Sequence, residues 1–411
     1  MKFIILICIV LLLTLGIRYA FFFTYEKKYL PGDTLQEKIT LLSEPKNNKF
    51  VKTFSVSSVQ IRIPQENEVH YGDEIYIEGI VDKESFEAKN KKVVSYLVIH
   101  NPVIKSTKST NIFFRTASYI RTRISKTFFS YLPQNEAALL FGIVFGGSQD
   151  FTSDTKSSFK NAGVLHVVAA SGMNVTMVAS FLIALFSRFL MRRQALVIAI
   201  FGVFYYALLS GFSPSIVRAS VMASVAFSAG ILGRQNSGIF ALCITAWLML
   251  FVQPEIIFDV GFLLSFTSTL GIVFCKPLFD SLWRFKNTKI FSDDITTSIA
   301  SQIGSLPVMA GVFGSYSFVS ILANALVLWT IPFLMILGGI AAVCAITLPI
   351  VSVPVLYISY PLLLYFEMIT GFFGSFPLFE FSTISIPFLL SYYFFALGVT
   401  VFLRGKVKKS R

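Results

Sequence analysis

VLHVVAASGMNVTMVASFLIALF, residues 164–186, decides the fold class. A helix of a soluble protein shows a polar face on every turn. This run shows none, and its one ionisable residue is His166. A bilayer core takes about 20 consecutive apolar residues per helix, and the run, extended to residue 190, satisfies that. Further apolar runs lie at 194–211, 215–232, 238–253, 258–276, 295–313, 317–349, 353–373 and 384–403. With the run at 3–23 they predict a polytopic α-helical membrane protein of about ten spans.

Composition agrees. Of 411 residues 55% are hydrophobic and 14% charged, against about a quarter charged in soluble domains. The formal charge is +13. Such a balance suits anionic lipid or nucleic acid, and it also arises from positive-inside loops. Arg188, Arg192 and Arg193 share one loop, Arg234 lies in another, and Lys276, Arg284, Lys286 and Lys289 lie in the 276–294 loop. The tail carries Arg404, Lys406, Lys408, Lys409 and Arg411, while the loops at 211–214 and 314–317 are uncharged. If the basic loops are cytoplasmic, both termini are cytoplasmic and residues 24–163 lie outside. This makes 317–349 one long or bent crossing. The pair Lys27-Lys28 is a mild exception. After the first run no clean small-residue cleavage site occurs, so 1–23 reads as a retained anchor. Cys8, Cys243, Cys275 and Cys344 all lie in apolar runs, and His70, His100 and His166 lie far apart. No metal site and no cofactor are expected.

Residues 24–111 change character. FVKTFSVSSVQIRI (50–63) alternates with period two, and its parity shifts at Ser57-Ser58, which reads as a bulge. EIYIEGIV (74–81) and VVSYLVI (93–99) add further short strands. Four or five strands suit an extracytoplasmic OB-like β-barrel, with a generic β-sandwich fitting the same alternation. In 112–132, Phe113, Ala117, Ile120, Ile124, Phe128 and Tyr131 recur at steps of three and four, opposite Arg115, Arg123 and Lys126. This amphipathic helix rests on the membrane surface or packs on the barrel. AALLFGIVFGG (137–147) is too short to span and reads as interfacial or re-entrant. The expected units are therefore an anchor (1–23), a β domain (24–111), amphipathic and interfacial helices (112–160), a channel-like membrane domain (161–404) and a basic tail (405–411).

Polar residues at membrane depth face protein or water. The densest set is His166, Ser171, Gly172, Asn174 and Thr176. It suits a local break in a helix lining a cavity, or close packing of small residues with interhelical hydrogen bonds. Arg218, one turn after Pro214, either snorkels to the interface or points inward as a fixed cation. A serine-hydrolase reading of Ser171 with His166 sets them about 140° apart on a helix, without a GxSxG elbow.

Four segments resemble, in order, the conserved blocks of the ComEC-type competence proteins. These are FKNAGVLHVVAASGMNVTMVASF (159–181), GFSPSIVRASVMA (211–223), DVGFLLSFTSTLGIV (259–273) and LPVMAGVFGSYSFVSILANALVLWTIP (306–332). YGDEIYIEGIV (71–81) resembles a strand of that family's N-terminal OB-like domain. His166, Ser171, Gly172, Arg218, Gly261, Ser265, Pro307 and Asn324 match the pattern, while the family's second signature histidine is Asn174 here, which cannot titrate. The resemblance implies an inner-membrane channel passing single-stranded DNA into the cytoplasm during natural transformation, in a short form lacking the C-terminal metallo-β-lactamase-like domain.

On that reading the path candidates are His166, Ser171, Gly172, Asn174, Arg218 and Asn324. No enzymatic activity is expected of the chain. With no Walker A motif, the driving force falls to a cytoplasmic DNA-translocating ATPase. An extracytoplasmic DNA receptor and a separate nuclease are further expected partners. Residues 24–132 carry 17 Lys and Arg against 12 Asp and Glu, a modest attraction for the DNA backbone. A secondary transporter for a small anion, using a broken helix and Arg218, and an intramembrane hydrolase are the competing readings.

Overall fold

The computed structural model describes residues 2–25, 29–41, 46–47, 51–56, 59–64, 69, 72–87, 93–100, 102–107, 111–147, 151–164, 172–233, 238–282, 289–313, 315–317, 319–376, 379–380, 391–396 and 398–400. Helix α1 (Lys2–Tyr25) leads into eight strands: β1 (Thr34–Thr40), β2 (Lys46–Asn47), β3 (Val51–Val56), β4 (Val59–Pro64), β5 (Glu74–Ile80), β6 (Asp82–Glu87), β7 (Val93–His100) and β8 (Val103–Thr107). The first sheet has the order β1-β5-β8, and the second β2-β3-β4-β7-β6. In the second sheet β4 and β7 run parallel, from Val59↔Leu97 to Arg62↔His100. The alternation seen in the sequence buries Leu35, Ile75 and Ile77 of one sheet together with Val59, Ile61, Ile63 and Ile99 of the other in a single core.

The closed OB-like barrel expected for 24–111 does not form among the described residues, because no strand belongs to both sheets. The chain leaves the first sheet at Val81 and enters the second at Asp82. The expected bulge at Ser57-Ser58 lies outside the described residues; on either side of it β3 and β4 pair antiparallel from Val56↔Val59 to Val51↔Pro64.

Helices follow: α2 (Ile112–Tyr131), α3 (Gln134–Phe145), α4 (Ser153–Asn161), α5 (Gly172–Phe186), α6 (Arg192–Leu209), α7 (Pro214–Ile231), α8 (Gly238–Val252), α9 (Val260–Leu282) and α10 (Lys289–Phe313). A 3₁₀ turn at Pro254–Phe258 joins α8 to α9. After the short β9 (Ser315–Tyr316) come α11 (Ser320–Val327), α12 (Thr330–Thr347) and α13 (Pro349–Gly374), and then β10 (Phe379–Glu380), paired with β9. The expected single crossing over 317–349 is thus divided between α11 and α12.

Among the described residues five helices are long and apolar enough to cross a bilayer: α6, α7, Val260–Asp280 of α9, α12 and α13. Residues 10–24 of α1, α3, α5 and α8 are shorter apolar helices. Phe201, Ile350, Met368 and Phe394 point outward, each more than 70% exposed. Water would not tolerate so many bare apolar side chains, whereas lipid does. The chain is a helical membrane protein with a small N-terminal sheet region.

The amphipathic reading of 112–132 holds as a helix, and its apolar stripe (Ala117, Ile124, Phe128) is buried. It packs on α3, α6, α12 and α13. Gly72 of the sheet region also meets α2, since a Cβ there would come within 3.2 Å of the Phe114 carbonyl oxygen.

Of residues 137–147, expected at the interface or re-entrant, 137–145 lie inside the bundle. Every residue from Glu136 to Phe145 is buried, in one core with α4, α5, α6, α12 and α13. A helix end inside the bundle must find partners for its last carbonyls. Gly146, at φ 80°, turns the chain, and its N–H donates to the Gly142 carbonyl at 2.8 Å. Asn174 Nδ2 donates to the Ile143 carbonyl at 2.6 Å, and the Tyr206 hydroxyl to that of Val144 at 2.7 Å.

Candidate functional site

Arg218 sits in the second turn of α7. The turn before it is built by a glycine-terminated helix end. Phe212 N–H donates to the Ala207 carbonyl and Gly211 N–H to that of Leu208, with Gly211 at φ 72° and Phe212 at φ 50°. This is a Schellman arrangement. Pro214 then opens α7 where its missing N–H costs nothing.

From α7 the Arg218 side chain turns inward rather than snorkelling. Its Nη1 donates to the Ser265 carbonyl and, at 2.6 Å, to Thr269 Oγ1, both on α9. Thr269 Oγ1 donates in turn to the same Ser265 carbonyl at 2.8 Å. The guanidinium carbon lies 6.0 Å from the Phe266 ring centre. Nε is buried without a hydrogen-bond partner among the described residues. No carboxylate there pairs with this cation either.

The third wall is α5. A Cβ on Gly172, its first residue, would stand 3.4 Å from Arg218 Nη2 and 3.5 Å from the Ala219 Cβ. Three helices therefore meet at one guanidinium, and one of them presents its N-terminal end there. A helix N-terminal end carries a partial positive charge. Such an end and a fixed cation both favour a negative group.

A second polar group lies where residue 163 meets α11. Gly163 has φ 72°, and a Cβ on it would overlap that of Ser320 and stand 3.4 Å from that of Ser317. Gln302 Nε2 of α10 donates to Ser320 Oγ at 3.2 Å. Ser317, Ser320 and Asn324 are all buried; Ser320 and Asn324, four apart, share one side of α11, and Ser317 lies just before it. Ser317 Oγ and Asn324 Oδ1 have no hydrogen-bond partner among the described residues. Buried polar atoms of this kind call for water or a ligand.

The residues singled out by sequence thus divide. His166 and Ser171 lie outside the described residues. Gly172 and Arg218 are brought together. Asn324 lies with Ser317 and Ser320 at α11. Asn174 is 1% exposed, and its side-chain amide holds the C-terminal end of α3. Sequence reasoning passed over Arg121, which is 8% exposed. Its Nη1 donates to the Leu209 carbonyl at 2.9 Å, and it lies 5.0 Å above Phe141. It also passed over Thr269, whose signal was its spacing of four from Ser265, and over Gly163, Ser317 and Ser320.

The comparisons with known proteins fit this geometry. The Competence protein family matches residues 143–407, which include both polar groups. ComE operon protein 3 of Bacillus subtilis (strain 168) is 24% identical over 221 residues, 53% of this chain and 28% of that protein. An uncharacterized protein of Aquifex aeolicus (strain VF5) is 30% identical over 185 residues, 44% of this chain and 41% of that protein. The chain thus spans less than half the length of either relative. No solved structure matches it.

Proposed function

Because the chain belongs to the Competence protein family, we propose that it takes part in DNA uptake, as the channel that passes single-stranded DNA into the cytoplasm during natural transformation. The observation that carries this is Arg218: a guanidinium inside the bundle, without a carboxylate partner among the described residues, beside the N-terminal end of α5. A DNA backbone carries one phosphate per nucleotide and is drawn to such a fixed cation. Neutral Ser317, Ser320 and Asn324 offer hydrogen bonds without trapping the strand.

In this reading His166 and Ser171, between the two polar groups in sequence, also belong to the path. Ten crossings leave both termini in the cytoplasm and the sheet region outside the membrane. There it receives DNA from an extracytoplasmic receptor. A cytoplasmic ATPase supplies the pull, and a separate nuclease removes the other strand. No catalytic role falls to the chain itself.

A secondary transporter for a small anion is the second reading, because Arg218 and a helix N-terminus are also the binding groups such a carrier uses. Labelled DNA separates the two. In cells lacking the protein, the first reading expects DNA to stay bound outside, with none reaching the cytoplasm. Unchanged internal DNA would sink it and leave the anion carrier.

A further inference from the structure

Helix α1 is fastened to α8 and the turn after it by three side chains. Trp247 Nε1 donates to the Leu11 carbonyl at 3.0 Å, Arg18 Nε to that of Phe251 at 3.1 Å, and the Tyr19 hydroxyl to that of Pro254 at 3.0 Å. Beside these bonds runs a groove of about 360 Å³, lined by Thr14, Ile17, Arg18, Phe21 and Phe251. Ile17 and Phe21 are more than half exposed, and Phe251 is 40% exposed.

We propose that this groove binds an anionic phospholipid, with its phosphodiester on the Arg18 guanidinium and an acyl chain along Ile17, Phe21 and Phe251. The bond from Nε to the Phe251 carbonyl fixes the plane of the guanidinium. It leaves the two terminal amino groups without a protein partner among the described residues. That planar pair of donors matches two phosphate oxygens. The Phe251 carbonyl is one of the unsatisfied carbonyls at the end of α8, so the cation sits where the helix end favours it. Tyr19, Phe22 and Phe23 pack against one another, and Trp247 stacks on Phe251 at 5.2 Å. Aromatic residues gathered beside an arginine mark the depth of lipid headgroups. Outside the protein at that depth the available anion is a lipid phosphate. A net negative headgroup is preferred, because the ammonium of a zwitterionic lipid competes for its own phosphate.

The test is thermal unfolding of the full-length chain in mild detergent, with added phosphatidylglycerol, phosphatidylcholine or inorganic phosphate. The proposal expects phosphatidylglycerol to raise the midpoint of the wild type by several degrees, through binding to the folded state. It expects phosphatidylcholine and inorganic phosphate to have little effect. Arg18→Gln removes the shift, while Arg188→Gln, on an exposed turn, keeps it. Ile17→Trp fills the groove, leaves the Arg18–Phe251 bond in place, and also removes the shift. An equal shift in Arg18→Gln or in Ile17→Trp overturns the proposal. So does an equal shift from phosphatidylcholine, which would mean no selection for charge, or from inorganic phosphate, which would mean a soluble-anion site. If Arg18→Gln does not fold, Ile17→Trp decides.

Discussion

Gly271 of α9 and Gly304 of α10 lie backbone against backbone. A Cβ on Gly271 would overlap the Ala300 carbonyl oxygen and stand 2.9 Å from the Gly304 nitrogen, and a Cβ on Gly304 would overlap the Thr267 carbonyl oxygen. In a bilayer helices gain little from apolar burial against each other, so close approach through small residues holds them together. Thr267 and Gly271, four apart, face Ala300 and Gly304, four apart. The same α9 carries Ser265 and Thr269, which hold Arg218.

Gly271→Ala and Gly304→Ala should each lower stability by about 1–3 kcal/mol, the usual cost of forcing extra atoms into a packed interface. Gly311→Ala, where nothing lies within 4 Å of the added carbon, should be neutral apart from helix propensity. Thermal midpoints of the purified variants in detergent check this. Equal midpoints for Gly304→Ala and Gly311→Ala would mean that α9 and α10 do not touch as described.

Pro307 lies inside α10 and supplies no N–H to the Ile303 carbonyl. The Tyr392 hydroxyl donates to that carbonyl at 3.0 Å, and Tyr393 to the Gly304 carbonyl at 2.9 Å. Tyr392→Phe should cost about 0.5–1.5 kcal/mol. In a Pro307→Ala background, where the backbone bond is restored, the same change should cost much less. A double-mutant cycle on thermal stability reads this coupling, and strictly additive effects would deny it.

Asn174 stands where the resembled family has a histidine, and the structure gives its amide to the end of α3. Asn174→Ala leaves the Ile143 carbonyl without that donor in a buried place and should cost about 1–3 kcal/mol. The loss should appear in protein level and thermal stability. If Asn174→Ala is as stable as the wild type yet passes no DNA, Asn174 belongs to the path and not to the support of α3.

The membrane class was readable because long apolar runs have no other use. Direction and depth were not. A short apolar stretch such as 137–147 fits an interface, a re-entrant segment or a buried core helix equally well, and its burial depends on partners distant in sequence such as Asn174 and Tyr206. The parity shift at Ser57-Ser58 does not by itself show that Val56 pairs with Val59. Arg218 had two possible directions, and its inward course depends on a carbonyl and a hydroxyl some fifty residues later. The meeting of Arg218 with Gly172 was legible only as two motifs in order, without the contact between them.

The central claim of the proposal is that Arg218, against which Gly172 packs, belongs to the path of the strand. Its most direct test is the amount of labelled DNA reaching the cytoplasm in cells carrying Gly172→Ala or Gly172→Trp, with membrane levels of the protein matched. A methyl group at Gly172 would make only ordinary contact, 3.4 Å from Arg218 Nη2, so Gly172→Ala should keep most uptake. Gly172→Trp should abolish entry and leave DNA bound outside. Full uptake with Gly172→Trp would contradict the account, because Arg218 could then be displaced without loss of the path.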